Sequence, residues 1–541
     1  MDDKNSRYET YVERTFEEIG AFGKFQKFNM LLMIFLATLP AITIYATVFN
    51  LAEPTLVCYD IVKNESVKNS EICSVWKNVT KSKDENEVTI YACEFDTKYY
   101  GRTIFTDWNF YCDRKYLSGL TQTFYLVGTV CAIFSGYFGD RFGRKKSILG
   151  FLTALTLLLF SSQLLVSDFL GINITAKYVI YCISQFLTGI FCNCLYISSY
   201  VLMLESTTHS RHTLFSNVHL SIYVLGEIFI LVPSYFIRNW EINNWIVAGF
   251  TAISFLMVVF FLIESPRWLI SQKRFEEAES IFKRIAIING KSWEKHFEIK
   301  NINSEFESRD DLISHIDKKS DNLEIKTMMK LICFPKINFK KSTLFSCVWF
   351  SLNLLYYGVS LGVASIDSIN PYLMFIFSCV AELLGYLICT INDRIGRRKA
   401  LMIYFVLSGI ICLVISFIPR NKNLENKDKV ITDAVVIIIL VSIGKCMASA
   451  AFNTCYVFTA EYYQTNVRNF AILFVSCIGN IGGFISPQVN LSKVLWKSLP
   501  YLIFSSFSLM GSLAIFMLPK NENKKSNAIS SLSVETDEIR L

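Results

Sequence analysis

The chain has 541 residues, of which 52% are hydrophobic, 15% aromatic and only 18% charged. A soluble multidomain protein of this length usually carries about 25% charged residues, so the composition excludes a soluble globular protein. The formal net charge of +7 does not sit on a basic helix with interleaved aromatic residues. This excludes a nucleic-acid surface and relates the charge to orientation in a membrane.

Apolar blocks of about 20 residues, long enough to cross a hydrocarbon core of about 30 Å, recur along the chain. They predict twelve membrane-spanning helices in two sets of six, which defines an all-α polytopic membrane protein with two pseudo-symmetric six-helix halves. The first set covers residues 28–50, 117–139, 147–167, 176–197, 213–237 and 243–263. The second set covers residues 341–362, 369–391, 399–419, 431–452, 466–489 and 498–518.

The same pattern divides the chain into cytoplasmic, extracellular and membrane regions. They are a cytoplasmic N-terminus at 1–27, a first half at 28–263 with an extracellular loop at 51–116, a cytoplasmic central loop at 264–340, a second half at 341–518 and a cytoplasmic tail at 519–541. Lysine and arginine concentrate in segments that an even number of spans places on one side of the membrane. By the positive-inside rule, both termini are predicted to be cytoplasmic.

The loop between the first and second spans carries four cysteines and two acceptor patterns for N-glycosylation. The cysteines are Cys58, Cys73, Cys93 and Cys112, and the acceptor patterns begin at Asn64 and Asn78. These patterns require a lumenal or extracellular location, and the topology independently places the loop outside. We therefore predict two disulfides, with three possible pairings left open, and glycans on both asparagines. The alternative is four free thiols on an unmodified loop.

Two polar turns between spans have nearly the same sequence. The first runs from Asp140 to Lys146, and the second runs from Asp393 to Lys399. Each turn is followed by an acidic residue and an arginine at nearly the same spacing, Glu205 with Arg211 and Glu461 with Arg468. The agreement indicates that a unit of half the chain has been duplicated, which is the architecture of a carrier.

The charge pattern of these turns predicts a gate on the cytoplasmic side. Asp140 can meet the positive N-terminus of a helix in the opposite half, and such contacts exist only when the inner face is shut. The predicted gating residues are Asp140, Arg141, Arg144, Glu205 and Arg211, with Asp393, Arg394, Arg397, Glu461 and Arg468 in the copy. The alternative is that the basic residues only anchor topology, which does not require an acid at 140.

The central loop is polar and helical in pattern and shows no sign of a catalytic domain. The sequence contains no glycine-rich phosphate loop, no His and Cys pairs at metal-binding spacing and no nucleophile with a base. We therefore expect neither an enzyme nor a cofactor nor a metal. A membrane enzyme is a disfavoured alternative, because no span carries a cluster of histidine and acid suited to metal or acyl chemistry.

Three further stretches resemble a known transporter family. They are Thr103–Cys112 before the second span, Glu264–Leu269 after the sixth and Glu461–Asn469 after the tenth. With the two charged turns, they resemble the major facilitator superfamily and, within it, the organic cation, anion and zwitterion (carnitine) transporter family of solute carriers. The Glu264–Leu269 run is shared with sugar carriers, whereas the stretch ending at Cys112 is more specific. The resemblance covers essentially the whole chain and implies a plasma-membrane carrier whose two halves alternate access to a midplane cavity.

Ionisable side chains inside the spans are candidates for substrate contact, because each costs roughly 2.5 to 3.5 kcal/mol on insertion scales. Glu382 lies in the middle of the eighth span, where the resemblance implies contact with the substrate or a coupling ion. The alternative is a structural pair with another span residue such as Lys445. Glu227 is a second intramembrane acid, close to the outer surface and without a family counterpart.

Four tyrosines lie on spans that are expected to border the cavity. They are Tyr196, Tyr223, Tyr356 and Tyr357. Aromatic faces attract organic cations with about 0.5 to 2 kcal/mol each. The alternative for each ring is packing, because the chain contains 45 Phe and 26 Tyr.

Asn480 in the eleventh span departs from the resembling family, which tends to carry Asp there in cation carriers and Arg in anion or carnitine-type carriers. The missing Arg argues against an anion exchanger, the missing Asp weakens the case for a cation, and Glu382 favours a cation or zwitterion. We therefore predict uniport or exchange of small organic cations or zwitterions. The alternatives are an organic anion exchanger of the same family and a non-transporting receptor or scaffold. In the latter, the C-terminal Ile539–Leu541 would be the peptide that a scaffold partner binds by strand addition.

Overall fold

The computed structural model describes residues 2–61, 65–66, 71–76, 91–96, 98–131, 134–293, 336–362, 370–389, 392–418, 427–463 and 468–519. Helices dominate this part of the chain, and each of the twelve predicted spans coincides with a helix or a bent pair of helices. Ten helices among the described residues are long and apolar enough to cross a membrane. The pair Cys112–Val130 and Ser135–Phe142, bent by 42°, passes the same criteria when it is counted as one broken span.

The helices of the first part of the chain precede the central loop or begin it. They are α1 (Asp2–Gly20), α2 (Lys24–Ala37), α3 (Leu39–Asn50), α4 (Ile104–Asp107), α5 (Tyr116–Val130), α6 (Phe134–Phe142), α7 (Arg144–Val166), α8 (Ile174–Glu205), α9 (His212–Phe236), α10 (Trp240–Phe261), α11 (Pro266–Ser271) and α12 (Phe275–Asn289). Helices α11 and α12 confirm the helical pattern at the start of the central loop. Single 3₁₀ turns occur at Cys112–Arg114, Asp168–Leu170 and His209–Arg211.

The helices of the last part of the chain follow the central loop. They are α13 (Lys336–Gly362), α14 (Pro371–Ile388), α15 (Asn392–Ile395), α16 (Arg397–Phe417), α17 (Lys427–Tyr462), α18 (Arg468–Leu491) and α19 (Leu499–Met517). A 3₁₀ turn at Ser492–Val494 joins the last two. The C-terminal Ile539–Leu541 lies outside the described residues, so its role as a peptide ligand stays a prediction.

Contacts between residues divide the chain into two compact units. The first comprises Met1–Ser314 together with Leu361–Leu383, and the second comprises His315–Ser360 together with Leu384–Leu541. The first part of α14 therefore packs with the helices that precede the central loop. The predicted domain boundaries at 264 and 340 stay predictions.

Small residues let helices approach closely inside each unit. In the first unit, a Cβ added at Gly128 of α5 would lie 2.1 Å from the carbonyl oxygen of Phe186. A Cβ added at Gly189 of α8 would lie 2.1 Å from the carbonyl oxygen of Tyr125. In the second unit, α18 meets α13 in the same manner, because a Cβ at Gly482 would lie 2.2 Å from the carbonyl oxygen of Phe350. Such backbone-to-backbone approach is typical of helix association in membranes.

A small β-structured cap follows α3, formed by β1 (Leu56–Asp60), β2 (Glu65–Ser66), β3 (Tyr91–Phe95) and residues 98–111. The strands are antiparallel in the order β2-β1-β3, and Cys58 lies directly opposite Cys93. The structure forms two disulfides, Cys58–Cys93 and Cys73–Cys112. Strand pairing thus selects one of the three pairings that the sequence left open. Asn64 and Asn78 lie outside the described residues.

Candidate functional site

The first charged turn, residues 140–146, is held by a two-pronged ion pair. Arg144 begins α7, and its Nη2 lies 2.7 Å from Oε1 of Glu205, the last residue of α8, while its Nε lies 3.1 Å from the other carboxylate oxygen. The remaining Nη1 donates to Oδ1 of Asp140 at 2.6 Å. Only 13% of the Arg144 side chain and 18% of the Glu205 side chain are exposed. Bidentate pairs of this kind are strong and fix the geometry of both partners.

The same turn is also closed by Glu264 and Trp268, which the sequence reasoning did not assign to it. The Glu264 carboxylate accepts hydrogen bonds from the backbone N–H of Arg144 at 2.9 Å and of Lys145 at 3.2 Å. These are free donors at the positive N-terminus of α7, where a carboxylate is stabilising. Trp268 Nε1 donates to the Asp140 carbonyl oxygen at 2.9 Å. The sequence feature that could have identified Glu264 is its position, because it is an acid at the end of a span on the same predicted side of the membrane as the turn.

Gly143 is required at the centre of this turn. Its φ is +98°, and an added Cβ would lie 2.5 Å from Oε2 of Glu264 and 3.0 Å from the Trp268 ring. Any other residue would therefore be strained in its backbone and would clash. In the second turn, Gly396 adopts φ +90°, so both copies use the same backbone device.

The remaining predicted gating residues of the first turn are more loosely held. Arg141 donates to the Tyr137 hydroxyl at 2.6 Å and stacks over the ring of Phe142, in an exposed position. Arg211 is exposed at the end of its 3₁₀ turn and forms no ion pair with any described residue. The predicted contact of Asp140 with a helix in the opposite half stays a prediction.

In the second charged turn, the neighbouring Arg398 has a different task. It donates to the carbonyl oxygens of Ile515, Phe516 and Leu518 at 3.1, 2.8 and 2.7 Å. These carbonyls end α19, so Arg398 caps the last helix of the second unit. Arg397 is partly buried at the start of α16. The side chains of Asp393, Arg394, Glu461 and Arg468 lie outside the described part of the chain, and their gating role stays a prediction.

An aromatic cluster with a buried histidine lies between α8 and α9. Tyr196 packs against Tyr223, with ring centroids 6.0 Å apart, and against His219, at 4.5 Å. His219 is fully buried and was missed by the sequence reasoning. The usable signal was its helical spacing with two predicted residues, because positions 219, 223 and 227 share one face of α9.

Ser199 fixes the tautomer of His219. The Ser199 hydroxyl donates its one proton to the Tyr196 carbonyl oxygen at 2.9 Å, so its oxygen accepts from His219 Nε2 at 3.1 Å. The imidazole proton is thereby assigned to Nε2, and Nδ1 is left as a bare acceptor. Nδ1 has no hydrogen-bond partner within the described residues. A buried acceptor of this kind is suited to an N–H or O–H donor of a ligand.

Both intramembrane acids of the first unit are buried. Glu227 is 1% exposed and Glu382 is 0% exposed. Cys379, on α14, donates a thiol hydrogen bond to Glu227 Oε2 at 3.2 Å. The structure thus connects Glu227 to the helix that carries Glu382. The candidate partner of Glu382, Lys445, belongs to the other unit, and the structural pair stays a prediction.

In the second unit, Lys445 is fully buried on α17. Its Nζ lies 3.9 Å from the centre of the Tyr356 ring and donates to the Ser360 hydroxyl. Tyr356 also packs against Tyr357 and Phe452, at 5.3 and 4.9 Å. The Lys445 ammonium therefore lies over an aromatic face, which is cation–π geometry. Asn480 lies partly buried on α18 of the same unit.

Comparison with known proteins identifies the class of molecule. The sequence model of a family described as sugar (and other) transporters matches residues 45–520. The organic cation transporter protein of Drosophila melanogaster is 27% identical over 94% of this chain and 91% of its own length. Human organic cation/carnitine transporter 2 is 26% identical over 81% of this chain and 72% of its own. Solute carrier family 22 member 6-B of Xenopus laevis is 26% identical over 82% and 75%.

Solved structures agree on the fold. The inward-open xylose transporter XylE from E. coli matches with a TM-score of 0.58 at 13% identity, over 90% of this chain and 96% of that one. The major facilitator superfamily proton:xylose symporter XylE, solved with bound 6-bromo-6-deoxy-D-glucose, matches with a TM-score of 0.56 at 13% identity. The match covers 91% of this chain and 97% of that one. These matches confirm the predicted major facilitator fold. The sequence relatives confirm the resemblance to organic-ion solute carriers, and both sets are transporters rather than enzymes.

Proposed function

Because the chain belongs to the sugar (and other) transporter family, we propose that it carries small organic cations or zwitterions across the plasma membrane by alternating access. Its two six-helix halves would rock around a cavity near the bilayer midplane. Transport would be uniport or exchange, with both termini in the cytoplasm. The relatives named for organic cations and carnitine support this class of substrate.

The observation that carries the proposal is the fully buried Glu382 in the middle of a membrane helix. A carboxylate inside a span attracts a cation and repels an anion, and ionisable residues in such positions mark substrate or ion pathways. A substrate cation would meet this carboxylate during transport. If a monovalent cation moves alone, each 100 mV of inside-negative potential contributes about 2.3 kcal/mol, which supports roughly fifty-fold accumulation. Chemical coupling is then not required.

The aromatic cluster of the first unit supports an organic substrate over an inorganic one. Tyr196 and Tyr223 present ring faces at half-buried positions, and rings attract cationic or flat organic groups. Glu227 lies one turn beyond Tyr223 on the same face of α9 and extends the polar surface. Together these residues can bind both the charge and the flat or apolar surface of an organic cation, so they suit a range of substrates.

Lys445 supports a zwitterion and is also the observation that favours the second candidate, an organic anion exchanger. Its buried ammonium on the Tyr356 ring supplies a positive group for a carboxylate. Asn480 is neutral and both donates and accepts hydrogen bonds, so it suits either charge. Tyr357 packs against Tyr356 and extends the aromatic cluster around Lys445.

Uptake of three labelled probes in expressing cells tests the proposal. The probes are tetraethylammonium, glycine betaine and glutarate, as a cation, a zwitterion and a dicarboxylate. Glu382→Gln is expected to reduce uptake of the first two, whereas Glu382→Asp, which keeps the charge, retains most of it. Lys445→Gln is expected to reduce uptake of betaine and glutarate only. Cation uptake that is equal in wild type and Glu382→Gln removes Glu382 from the mechanism, and glutarate uptake alone favours the anion exchanger.

A further inference from the structure

The beginning of α14 presents a buried face to the first unit. Tyr372, Phe375 and Cys379 recur at intervals of three and four residues, so they lie on one side of the helix. They are only 4%, 1% and 0% exposed. Glu382 continues the same series one turn further along. The helix that carries the proposed substrate carboxylate is therefore packed tightly just before that carboxylate.

The packing partners of this face are α3 and α9. The Tyr372 ring stacks on Phe49, with centroids 5.5 Å apart and planes 7° from parallel, and meets the edge of Tyr235 at 5.2 Å. Phe375 packs edge-on against Tyr45 and against Phe49, at 5.2 Å in both cases. Aromatic pairs of these geometries are attractive beyond the area they bury. One turn further along α14, the Cys379 thiol donates a hydrogen bond to Glu227 Oε2.

The Tyr372 hydroxyl joins this face to the disulfide-bonded cap. It lies 2.9 Å from the Ser234 carbonyl oxygen, in the last turn of α9, and 3.1 Å from the Tyr99 carbonyl oxygen, in the cap. The Ser234 carbonyl is one of the acceptors that a helix end leaves without an intrahelical partner. The single hydroxyl proton is shared between the two oxygens in a bifurcated hydrogen bond, and this one phenol therefore connects α14, α9 and the cap.

The cap is in turn fixed to the corner between α9 and α10. The backbone N–H of Arg102 donates to the Arg238 carbonyl oxygen at 2.9 Å, and Trp240 N–H donates to the Arg102 carbonyl oxygen at 3.1 Å. A Cβ at Gly101 would lie 2.3 Å from the Arg238 carbonyl oxygen, so only glycine permits this approach. Two disulfides cross-link the cap, and the Tyr99 carbonyl oxygen lies within hydrogen-bond distance of the Tyr372 hydroxyl.

We infer that Tyr372 latches an outer gate, in which the Tyr372–Phe375–Cys379 face of α14 closes on α3 and α9 under the control of the cap. The gate covers Glu382 on the side that the sequence predicts to be extracellular. This inference rests on the proposed function for the role of Glu382, and its test does not require transport. Opening separates the stacked rings and breaks the hydrogen bond of the Tyr372 hydroxyl.

Tyr372→Phe isolates the hydroxyl, because it keeps the ring stack and removes only the hydrogen bond. A net hydrogen bond corresponds to about a fivefold change in an equilibrium constant. The open fraction of the gate is therefore expected to rise about fivefold. Tyr178→Phe is the matched control, because the Tyr178 hydroxyl also donates to a backbone carbonyl oxygen, that of Leu117 at 3.1 Å, away from α14.

The readout is the rate at which a membrane-impermeant maleimide, added outside intact cells, labels the native thiol of Cys379. Cys379→Ser defines the background from other thiols. Tyr372→Phe is expected to raise the Cys379 rate about fivefold, and Tyr178→Phe is expected to leave it unchanged. A rate that is unchanged in Tyr372→Phe, or raised equally in the control, overturns the inference.

Control by the cap is tested separately on the folded carrier. Brief treatment with an impermeant reductant, removed before labelling, is expected to raise Cys379 labelling in wild type but not further in Tyr372→Phe, because the link is already cut there. Equal increases in both overturn the role of the cap. If labelling follows these expectations while Glu382→Gln transports normally, the gate stands and the proposed role of Glu382 fails. If Glu382→Gln loses cation uptake while Tyr372→Phe leaves Cys379 labelling unchanged, the proposed role of Glu382 stands and the gate fails.

Discussion

Replacing Glu205 with glutamine removes the charge that Arg144 contacts with two nitrogens. Hydrogen bonds to charged groups contribute about 1.5 to 3 kcal/mol. The value for this pair lies towards the lower end, because 13% of Arg144 and 18% of Glu205 remain exposed and partly solvated. A loss of about 2 kcal/mol corresponds to roughly a thirty-fold change in an equilibrium constant. If the first turn closes the inner face, Glu205→Gln is expected to shift the carrier towards its inward-open state by up to that factor.

Apparent KM values measured from both sides of proteoliposomes give the assay, with tetraethylammonium as the probe. A larger inward-open population lowers the apparent KM on the cytoplasmic side and raises it on the outer side. Arg141→Gln is the comparison within the same turn, because the contacts of the exposed Arg141 with the described residues are to Tyr137 and Phe142 and include no acid. Equal KM changes on both sides, or a lowered unfolding temperature with no change in sidedness, would refute the gating argument and leave a structural role.

Three further outcomes are expected. Gly143→Ala places a Cβ 2.5 Å from Glu264 Oε2 at a φ of +98°. The unfolding temperature is therefore expected to fall by an amount equivalent to about 1 kcal/mol or more. Gly136→Ala is the control, because its Cβ meets nothing within 4 Å and should leave the unfolding temperature unchanged. His219→Phe removes the Nδ1 acceptor and is expected to lower uptake of a protonated primary amine about fivefold while sparing tetraethylammonium, which has no N–H; equal losses for both probes contradict this. Hydrogen bonds from Lys177 and then from Arg102 lower the pKa of Asp168, so Asp168 stabilises the fold above the usual Asp pKa and loses this contribution as the pH falls through its lowered value. The effect is under about 1 kcal/mol, since Asp168 is largely exposed, and Asp168→Asn is expected to flatten the acid limb of the thermal stability profile.

The helices and the duplicated turns were predictable from the sequence because their causes are local. Twenty apolar residues suffice to define a span, and Gly143 and Gly396 mark turns that need a positive φ. The contacts of Glu264 and Trp268 were not predictable in this way, because their partners lie 120 and 128 positions away along the chain. The disulfide pairing required knowledge of which strands are neighbours, and Cys58 and Cys93 meet only because β1 pairs with β3.

The candidate site shows the same division. Glu382 and Lys445 stand out in a sequence because charges are rare inside spans, and their burial follows from that position. His219 and the Tyr372 hydroxyl matter through particular partners, a serine one turn of α8 past Tyr196 and two carbonyl oxygens at helix and loop ends. No spacing rule identifies such partners before the helices are packed.

The mutual approach of α5 and α8 has a consequence for how this molecule can change over evolutionary time. Gly128 and Gly189 each face a main-chain oxygen, so no neighbouring side chain is available to shrink in compensation for a larger residue. A larger residue is therefore expected to be disfavoured at both positions, because its side chain would meet the backbone of the facing helix. A protein that replaced either glycine with a larger residue would have to move α5 or α8 as a whole, and the spacing of the membrane helices would change with it.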